Sequence, residues 1–583
     1  MSPSDLQTPP PPNAAPRLTL VDLLLASGVQ ERSEAEALAA LRSNGQSWVA
    51  TVLNTGKVDE TCLATRLGEF FNTPVETLQA HRLDRSVLSA LPSRFVFKHH
   101  ILPIAADGET LRLATYDVFN SAARRLAGQL VEGKKIEWVL APRTPLLRAI
   151  KTVYGVGAET FEELLQNTRA LDSHDQEIAT DLSADDPEAS VVKFVNQIIR
   201  EALFERATDI HVEPLEDDLR IRYRIDGMLH AVAVPPQLRV LQSAIISRLK
   251  VMARMDIAEK RLPQDGRINL QHAGSAIDVR VSTIPTVTGE SISLRLLKRG
   301  EAESFGFERL DLTEAQGRLV RALLAEPNGI ILVTGPTGSG KSTSLYSFLT
   351  SINSVERRIV TIEEPVEYRL PGVSQIDVKP EIGLTFANGL RAILRQDPNV
   401  VMVGEIRDVE TAEIAIRAAM TGHLVFSTLH TNDAVGGITR LLDMGIEPFL
   451  VASVVRVFIA QRLVRTICPD CADWVHHPEA YLREIGCPIP PDHRFRQGKG
   501  CESCRQTGYQ GRTAIYEFCV INQRLRQLIV RKATGSELKN QATHNGMLTL
   551  REDGWRRVLA GQTTIEEILR VTQTDEAFSE SDG

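Results

Sequence analysis

The sequence predicts an α/β protein whose largest part is a parallel sheet that carries a phosphate-binding loop. Residues 305–460 alternate strand and helix patterns, as a parallel sheet with crossover helices requires. The segment GIILVTGPTGSGKST (329–343) sets a glycine-rich loop between a strand and a helix. Two C-x2-C pairs after residue 460 predict a metal-binding lobe within the same part of the chain.

Composition places the chain among large soluble proteins. Its 583 residues correspond to roughly four domains at about 150 residues each. A net charge of −8 argues against a protein that coats nucleic acid, so no nucleic-acid partner is expected. Charged residues interrupt the most apolar long stretch (444–464), and the N-terminus lacks a secretory signal pattern. We therefore expect a cytoplasmic protein that associates with a membrane only through a partner or an interfacial face.

The first half of the chain is expected to contain two α/β domains. A disordered Pro-rich tail (1–16) precedes an N-terminal α/β docking domain (17–157). Within that domain LLLASGVQERSE and TVLNTGKVDETC predict a helical repeat, and RFVFKHHILPIAADGETLRLATYD predicts strands around an Asp-Gly turn. An acidic linker (158–189) leads to a second N-terminal α/β domain (190–300) with a hairpin that turns at Asp226-Gly227.

The second half is expected to form one nucleotide-binding region. Its predicted parts are a P-loop ATPase core (301–461), a zinc-binding lobe (462–520), a C-terminal helical part of the ATPase domain (521–572) and an acidic tail (573–583).

The glycine-rich loop predicts an ATP site. Glycines let backbone N–H groups curl around phosphate, and the N-terminus of the following helix adds partial positive charge. Lys341 is expected to reach the β- and γ-phosphates, and Ser342 to ligate Mg²⁺. The residues expected to contact the nucleotide are Gly335, Pro336, Thr337, Gly338, Ser339, Gly340, Lys341, Ser342 and Thr343.

Acidic residues follow two further predicted strands. Glu405 comes just after the apolar run Val400–Val403, and ligands of such sheets bind outside the carboxyl ends of the strands. We expect Glu405 to accept a hydrogen bond from a Mg²⁺-bound water, although Gly404 replaces the usual acidic residue beside it. RIVTIEEPVEY ends in a second acidic cluster, in which Glu363 or Glu364 is expected to be the general base.

Two histidines frame a later strand in TGHLVFSTLHTNDA. His423 opens the strand and His430 closes it. Their position beside the acidic residues favours sensing of the γ-phosphate, and a hydrogen-bonded structural role is the alternative.

Taken in order, these segments resemble the secretion-ATPase superfamily over about residues 190–572. The segments are GPTGSGKST, TIEEPVEY, VMVGEIRD, TGHLVFSTLHTND and the paired C-x2-C. The type II secretion (general secretion pathway) ATPase is the nearest branch, and the type IV pilus assembly ATPase is next. The resemblance implies a RecA-like fold, a PAS-like second N-terminal domain, a homohexamer and ATP hydrolysis. It also implies that Glu363 is the general base, Glu405 the atypical Walker B acid, and His423 and His430 the histidine box.

Arginines form a further group of residues to which the resemblance assigns roles. Arg280 and Arg295 match arginines that close over the γ-phosphate, and Arg391, Arg395, Arg407 and Arg440 match arginines around the site or the subunit interface. Such cations would stabilise concentrated phosphate charge. Surface salt bridges are the alternative explanation for each of them.

Cys468, Cys471, Cys501 and Cys504 predict a structural Zn²⁺ site. Two C-x2-C knuckles can place four thiolates around one ion, and no thioredoxin-like βαβ context favours redox chemistry. Cys62, Cys487 and Cys519 are expected to be ordinary thiols.

The leading functional hypothesis is a hexameric ATPase that drives type II protein secretion by pseudopilus assembly at the inner membrane, and the alternative is an ATPase that polymerises pilin. The expected partners are membrane platform proteins and a membrane-anchored docking partner. A nucleic-acid motor and a non-hydrolysing scaffold are disfavoured. Cyclic di-GMP binding is not expected, because Arg17-Leu18-Thr19 and Ser47-Trp48-Val49 lack the glycines of the family's ligand motif.

Overall fold

The computed structural model describes residues 19–41, 47–78, 85–131, 133–155, 187–234, 238–272, 275–298, 305–490, 492–501 and 503–572. The predicted Pro-rich tail, the acidic tail and residues 158–186 of the predicted linker lie outside these ranges. The chain divides into two compact units, of which one holds most residues up to Leu296 and the other holds those from Leu297 together with 226–228 and 269–278. Among the described residues, no helix has both the length and the apolar content needed to cross a bilayer.

The first unit begins with helices and continues with two sheets. Its helices are α1 (Leu20–Ala26), α2 (Arg32–Ala39), α3 (Trp48–Asn54), α4 (Glu60–Phe71), α5 (Ser93–His99), α6 (Ser121–Leu130), α7 (Arg143–Tyr154), α8 (Pro187–Phe204) and α9 (Gln242–Met252). Its strands are β1 (Ile101–Asp107), β2 (Thr110–Thr115), β3 (Lys135–Leu140), β4 (Asp209–Pro214), β5 (Leu219–Ile225), β6 (Met228–Ala231), β7 (Gln264–His272), β8 (Ser275–Thr286) and β9 (Gly289–Lys298).

The second unit alternates strands and helices and then ends in helices. Its helices are α10 (Glu314–Leu324), α11 (Lys341–Ile352), α12 (Phe386–Ile393), α13 (Val409–Met420), α14 (Ala434–Asp443), α15 (Pro448–Val454), α16 (Glu479–Glu484), α17 (Gln523–Val530), α18 (Gly535–His544), α19 (Leu550–Leu559) and α20 (Ile565–Val571). Its strands are β10 (Gly329–Thr334), β11 (Ile359–Glu363), β12 (Ser374–Asp377), β13 (Val400–Val403), β14 (Leu424–Leu429), β15 (Val455–Ile467), β16 (Ala472–Val475), β17 (Phe495–Gly498) and β18 (Tyr509–Val520).

The predicted helical repeat is present as two helix pairs. α1 and α2 flank Gly28, and α3 and α4 flank Gly56; both glycines have positive φ, at 114° and 69°. Glycine occupies such positions at no steric cost, so the same turn recurs at the same point of each pair.

The prediction of strands in RFVFKHH is wrong. These residues belong to α5, which starts after Pro92 and ends at His100 in the left-handed region (φ 53°). The apolar residues Phe95 and Phe97 alternate as in a strand, but Val96 is the residue that is fully buried. The two strands around the Asp-Gly turn, β1 and β2, follow only after this helix and pair antiparallel.

A six-stranded sheet forms the second part of the first unit, in the order β6-β5-β4-β9-β8-β7. Asp226 and Gly227 connect β5 to β6 with φ of 49° and 84°, as a tight hairpin turn requires. The Tyr223 hydroxyl donates to the carbonyl of Ile198 at 2.9 Å, which ties the sheet to α8.

The second unit is built on a seven-stranded sheet in the order β12-β11-β13-β14-β10-β15-β18. All neighbouring strands in it are parallel except β18, which pairs antiparallel with β15 at one edge. Alternate residues of β10 enter different cores: Ile331 and Val333 pack with α10 and α11, whereas Ile330 and Leu332 pack with α12 to α15. The predicted fold class is confirmed, since the parallel sheet carries the P-loop and is covered on both faces.

Candidate functional site

The glycine-rich loop connects β10 to α11, as predicted. Gly335, Gly338 and Gly340 all have positive φ (148°, 79° and 90°), and Gly340 is the residue that caps α11. The Lys341 Nζ donates to the carbonyls of Gly335 and Pro336 at 2.8 and 3.0 Å, so its amine lies inside the loop. Burial lowers the pKa of Lys341 to about 8, while the nearby Glu405 carboxylate opposes that shift.

The shape of the loop depends on close contact with β15. A Cβ added at Gly335 would lie 2.6 Å from the carbonyl oxygen of Gln461, and one at Gly340 would lie 2.7 Å from the Gln461 Nε2. The Gln461 side chain is buried, and its Oε1 accepts a hydrogen bond from the Ser344 Oγ at 2.8 Å. Gln461 therefore supports both ends of the loop, a role that the sequence motifs did not indicate.

The carboxyl ends of four strands meet beside this loop. Parallel pairing sets Thr334 opposite Leu429, Ser427 opposite Val403, and Val403 opposite Ile362. The residues that follow these strands therefore share one edge of the sheet, which is where α/β proteins bind ligands. They include Lys341 and Ser342 after β10, Glu405 after β13 and His430 after β14, and Glu363 is the last residue of β11.

Glu363 is a buried carboxyl that several groups hold by hydrogen bonds. Its side chain accepts from the Tyr346 hydroxyl, from the Thr361 Oγ1 at 2.7 Å and from the Gln375 Nε2 at 3.1 Å. Burial raises the pKa of Glu363, although the three hydrogen bonds act in the opposite direction. A raised carboxyl pKa makes the group a better proton acceptor near neutral pH.

Glu405 is the centre of a charged cluster at the same edge. Its carboxylate is 2.5 Å from the Arg407 Nη2 and 3.3 Å from the His430 Nε2. Arg407 also pairs with Glu364 at 2.8 Å. Glu364 is thus an exposed, ion-paired carboxylate, whereas Glu363 is buried, so the two candidate bases have different surroundings.

Gly404 allows the ends of β11 and β13 to approach each other. A Cβ at position 404 would lie 3.3 Å from both the Glu363 Cα and the Ile362 carbonyl oxygen. A side chain in place of Gly404 would therefore press against the strand that carries Glu363.

The two histidines do not lie together. His423 precedes β14, and its carbonyl accepts from the backbone N–H of Gly329 at the start of β10. Six residues of strand, about 20 Å, separate it from the loop edge. Its Nδ1 lies 2.9 Å from the carbonyl of Ala418, a contact of the kind that the hydrogen-bonded structural alternative predicts.

The predicted arginines occupy separate places. Arg407 lies in the site; Arg391 pairs with Glu410 at 2.5 Å; Arg395 and Arg440 are exposed, just after α12 and on α14. Arg280 and Arg295 belong to the first unit, where Arg295 pairs with Asp209 at 3.0 Å. In this chain, the ion pairs of Arg391 and Arg295 match the salt-bridge alternative.

Arg462 is a further cation that the motifs did not include. Its Nη2 donates to the carbonyl of Asn432 at 2.7 Å and its Nη1 to the carbonyl of Gln461 at 3.2 Å. It thereby ties the segment after β14, which carries His430, to the strand that supports the loop. The one sequence signal for it was a polar pair inside an apolar strand, VFIAQRLV.

The four predicted cysteines form one cluster. Their Sγ atoms all lie within 4.8 Å of one another, and the Cys468–Cys501, Cys471–Cys504 and Cys501–Cys504 pairs are each 3.7 Å apart. Sulfurs bound 2.3 Å from one tetrahedral Zn²⁺ would be about 3.8 Å apart. All four are free thiols, at separations far beyond a disulfide bond. The donor set therefore fits a structural zinc ion.

The oxygen groups at the loop edge also fit a magnesium ion. The Ser342 hydroxyl is exposed at the start of α11, and the carboxylate of Glu405 lies beside the same loop. Hard cations of this kind prefer such oxygen ligands and retain several waters.

Comparison with known proteins places these features in a family context. Residues 184–570 match the model of the family described as "Type II/IV secretion system protein", and residues 71–160 match that of the MshEN domain. The chain is 42% identical over 568 residues to the type II secretion system protein E of Xanthomonas campestris pv. campestris, covering 96% of each chain.

A pilus protein and a solved structure are also similar. The type IV pilus assembly ATPase PilB of Myxococcus xanthus is 40% identical over 551 residues, covering 92% of this chain and 95% of PilB. The structure of the Legionella pneumophila ATPase DotB aligns with a TM-score of 0.47 at 20% identity, covering 65% of this chain and 95% of DotB.

Proposed function

The chain belongs to the type II/IV secretion system protein family and is an ATP hydrolase, and from that premise we propose that it powers type II protein secretion. The observation that carries the proposal is the meeting of Lys341, Glu363, Glu405 and His430 at one edge of the sheet. The near full-length likeness to a type II secretion system protein E supports the choice of process.

The residues at this edge have separate roles in ATP hydrolysis. Backbone N–H groups of the loop and the Lys341 amine bind the phosphates, and Ser342 would hold Mg²⁺, which neutralises charge on the β- and γ-phosphates. Glu363 takes the proton from the attacking water. Glu405 orients water beside the phosphate, and His430 and Arg407 hold the Glu405 carboxylate in place.

The remaining arginines and His423 act in an assembled ring. Arg280, Arg295, Arg391, Arg395, Arg440 and His423 would complete the ATP site when the domains close and subunits of a homohexamer meet. Turnover per subunit should then rise with protein concentration as hexamers form. A monomer with full activity would contradict the ring proposal while leaving the ATPase assignment intact.

The cysteine cluster would hold one Zn²⁺ and give the lobe between β15 and β18 a fixed shape. The ion supplies structural cross-linking and leaves no open coordination position for catalysis. A lobe of this kind is suited to contacting a membrane platform protein.

The N-terminal domain would dock on a membrane-anchored partner and so bring a cytoplasmic protein to the inner membrane. The match of residues 71–160 to the MshEN domain makes cyclic di-GMP a ligand to test. We expect no binding. Arg17 and Leu18 lie outside the described residues, and Ser47 caps α3 through a hydrogen bond to the backbone N–H of Ala50. Calorimetric titration of the full chain with cyclic di-GMP checks this expectation.

The second candidate function is type IV pilus assembly, which the 40% identity to PilB favours. A deletion strain that is complemented with the wild-type chain or with Lys341→Ala separates the two. Loss of exoprotein from the medium with normal surface pili supports secretion, and loss of pili with normal exoprotein supports the alternative.

A further inference from the structure

Tyr346 joins the nucleotide-binding helix to the candidate general base. It lies on α11, one turn after Ser342, and its side chain is buried with 1% exposure. Its hydroxyl donates a hydrogen bond to the Glu363 Oε2, and the backbone N–H of Glu367 donates to the hydroxyl oxygen at 3.2 Å. Because the oxygen already accepts from that N–H, the hydroxyl hydrogen is directed to the carboxylate.

Neighbouring rings hold the phenol in this position. Phe305 packs edge-on against Tyr346 with ring centres 5.4 Å apart, and Tyr368 does so at 6.3 Å. Both contacts belong to the core that α11 shares with the sheet. A side chain packed in this way keeps one rotamer, so the position of its hydroxyl follows that of the helix.

The two oxygens of Glu363 have different partners. The Oε1 accepts from the Thr361 Oγ1 and from the Gln375 Nε2. The Oε2 accepts from Tyr346, which is its only hydrogen-bond donor among the residues that the structure describes. Loss of the phenol hydroxyl would therefore leave Oε2 without a hydrogen bond in a buried position, and only the contacts of Oε1 would hold the carboxylate.

We propose that Tyr346 is a positioning residue for ATP hydrolysis, which fixes the Oε2 of Glu363 and makes the placement of the base follow the helix that binds the phosphates. The proposal rests on the proposed role of Glu363 as general base. Tyr346 itself need not touch the nucleotide, since Lys341 and Ser342 of the same helix do so. Phosphate binding and water activation would thus be linked through one side chain.

The surroundings of Glu363 predict how the pH dependence should change. Burial raises its pKa, Asp377 on β12 adds to that shift, and the Tyr346 hydrogen bond opposes it. The other titratable groups at this edge are Glu364 and Glu367 after β11, Glu405 and Arg407 after β13, Lys341 after β10 and His430 after β14. Without the phenol hydroxyl, Glu363 should hold its proton to higher pH and fail as a base over a wider range.

The test is Tyr346→Phe in the full-length chain, with ATP turnover measured from pH 5.5 to 9. A hydrogen bond to a charged group is worth enough to move the acid limb of kcat upward by about one pH unit. On the acid limb we expect kcat at a given pH to fall by up to about tenfold, and the loss should shrink toward pH 9. KM for ATP should change little, because the ring and the loop remain.

Tyr516→Phe is the matched control. The Tyr516 side chain is also buried in this unit, and its hydroxyl donates to the carbonyl of Leu310 at 2.9 Å instead of to Glu363. This variant should lose stability to a similar extent and keep the wild-type pH profile. Incorporation of 3-fluorotyrosine at position 346 provides a second variant, since a more acidic phenol donates more strongly and should move the acid limb to lower pH.

The outcomes separate this inference from the assignment of the base. If Glu363→Gln keeps near-normal turnover, Glu363 is not the base and the proposed function of that residue fails. If Glu363→Gln is inactive but Tyr346→Phe and the fluorinated variant both keep the wild-type profile, the positioning role of Tyr346 is overturned. A Tyr346→Phe variant that only raises KM overturns it as well.

Discussion

Replacing Cys468 and Cys471 with serine should release one zinc ion per chain and leave nucleotide binding close to its original strength. The two substitutions remove half of the ligands from a cluster whose sulfur separations of 3.7 Å match the edge of a zinc–thiolate tetrahedron. Serine is a poor zinc ligand, and the binding free energy of a structural zinc ion contributes to folding. The segment between β16 and β17 should therefore loosen.

The ATP site should be spared because of its distance from the cluster. Gln461, which supports the P-loop, precedes Cys468 by seven residues of extended chain, or about 23 Å. The pairing of β15 with β18 runs from Val457 to Ile467, with one register irregularity after Arg465, through backbone hydrogen bonds. We therefore expect the Kd for a fluorescent ATP analogue to change by about twofold or less, well under the tenfold that 1.4 kcal/mol would cause.

Metal content by mass spectrometry, nucleotide titration and limited proteolysis of the lobe measure the three effects. Cys487→Ser is the control, because Cys487 lies in the same lobe but outside the cluster. It should keep its zinc and its resistance to protease. The metal assignment is wrong if the reduced wild-type protein contains no zinc, and the independence of the lobe is wrong if loss of zinc weakens ATP binding tenfold or more.

Three further substitutions test the site and the fold. Lys341→Ala should lower ATP turnover by roughly 10²-fold or more without unfolding the chain, because its amine contacts only loop carbonyls; phosphate release and thermal unfolding check this. Glu405→Gln should still bind ATP but lose roughly 10²-fold or more in turnover, and loss of both binding and fold would mark Glu405 as a structural residue. Glu567→Gln should cost on the order of 3 kcal/mol at pH 7, because Glu567 is buried between Arg465 and Arg570. Burial acts to raise the pKa of Glu567, but the two arginines hold that pKa below its ordinary value of 4.5. The ionised carboxylate therefore stabilises the fold fully above pH 4.5, and this stabilisation is lost as the pH falls through the lower pKa of the folded state. Urea unfolding at neutral and acidic pH should therefore show the gap between wild type and variant narrowing in acid.

Motifs that are contiguous in sequence could be located before the structure was known. The P-loop, the acids that follow β11 and β13, and the cysteine pairs each combine a required residue type with a fixed spacing. The register of the parallel strands then determined which motifs lie close together. The ends of β13 and β14 lie beside the end of β10, so Glu405 and His430 lie at the same edge as the loop. His423 precedes the first residue of β14, so it lies at the amino end of the parallel strands. That end is the edge of the sheet opposite the loop.

Other features had no local signal beyond the place of Gln461 in the polar pair of VFIAQRLV. Tyr346 and Gln461 act through contacts made across the sheet, and a tyrosine on an apolar helix face looks like any core residue. The strand prediction for residues 94–100 failed because apolar alternation in a short segment does not distinguish a strand from a short helix. Here a helix begins after Pro92 and ends at His100, whose backbone is in the left-handed region.

The unbroken course of β15 limits where this chain can change length. One strand passes the P-loop at Gln461 and reaches the first zinc-binding knuckle at Cys468 with no intervening loop. Inserting or deleting one residue between them would move every side chain of the strand that follows to the opposite face of the sheet. The described residues from 476 to 493, between β16 and β17, belong to no strand, although Leu482 and Ile489 are buried. Relatives should therefore differ freely in the size of the lobe while keeping the seven-residue interval from glutamine to cysteine.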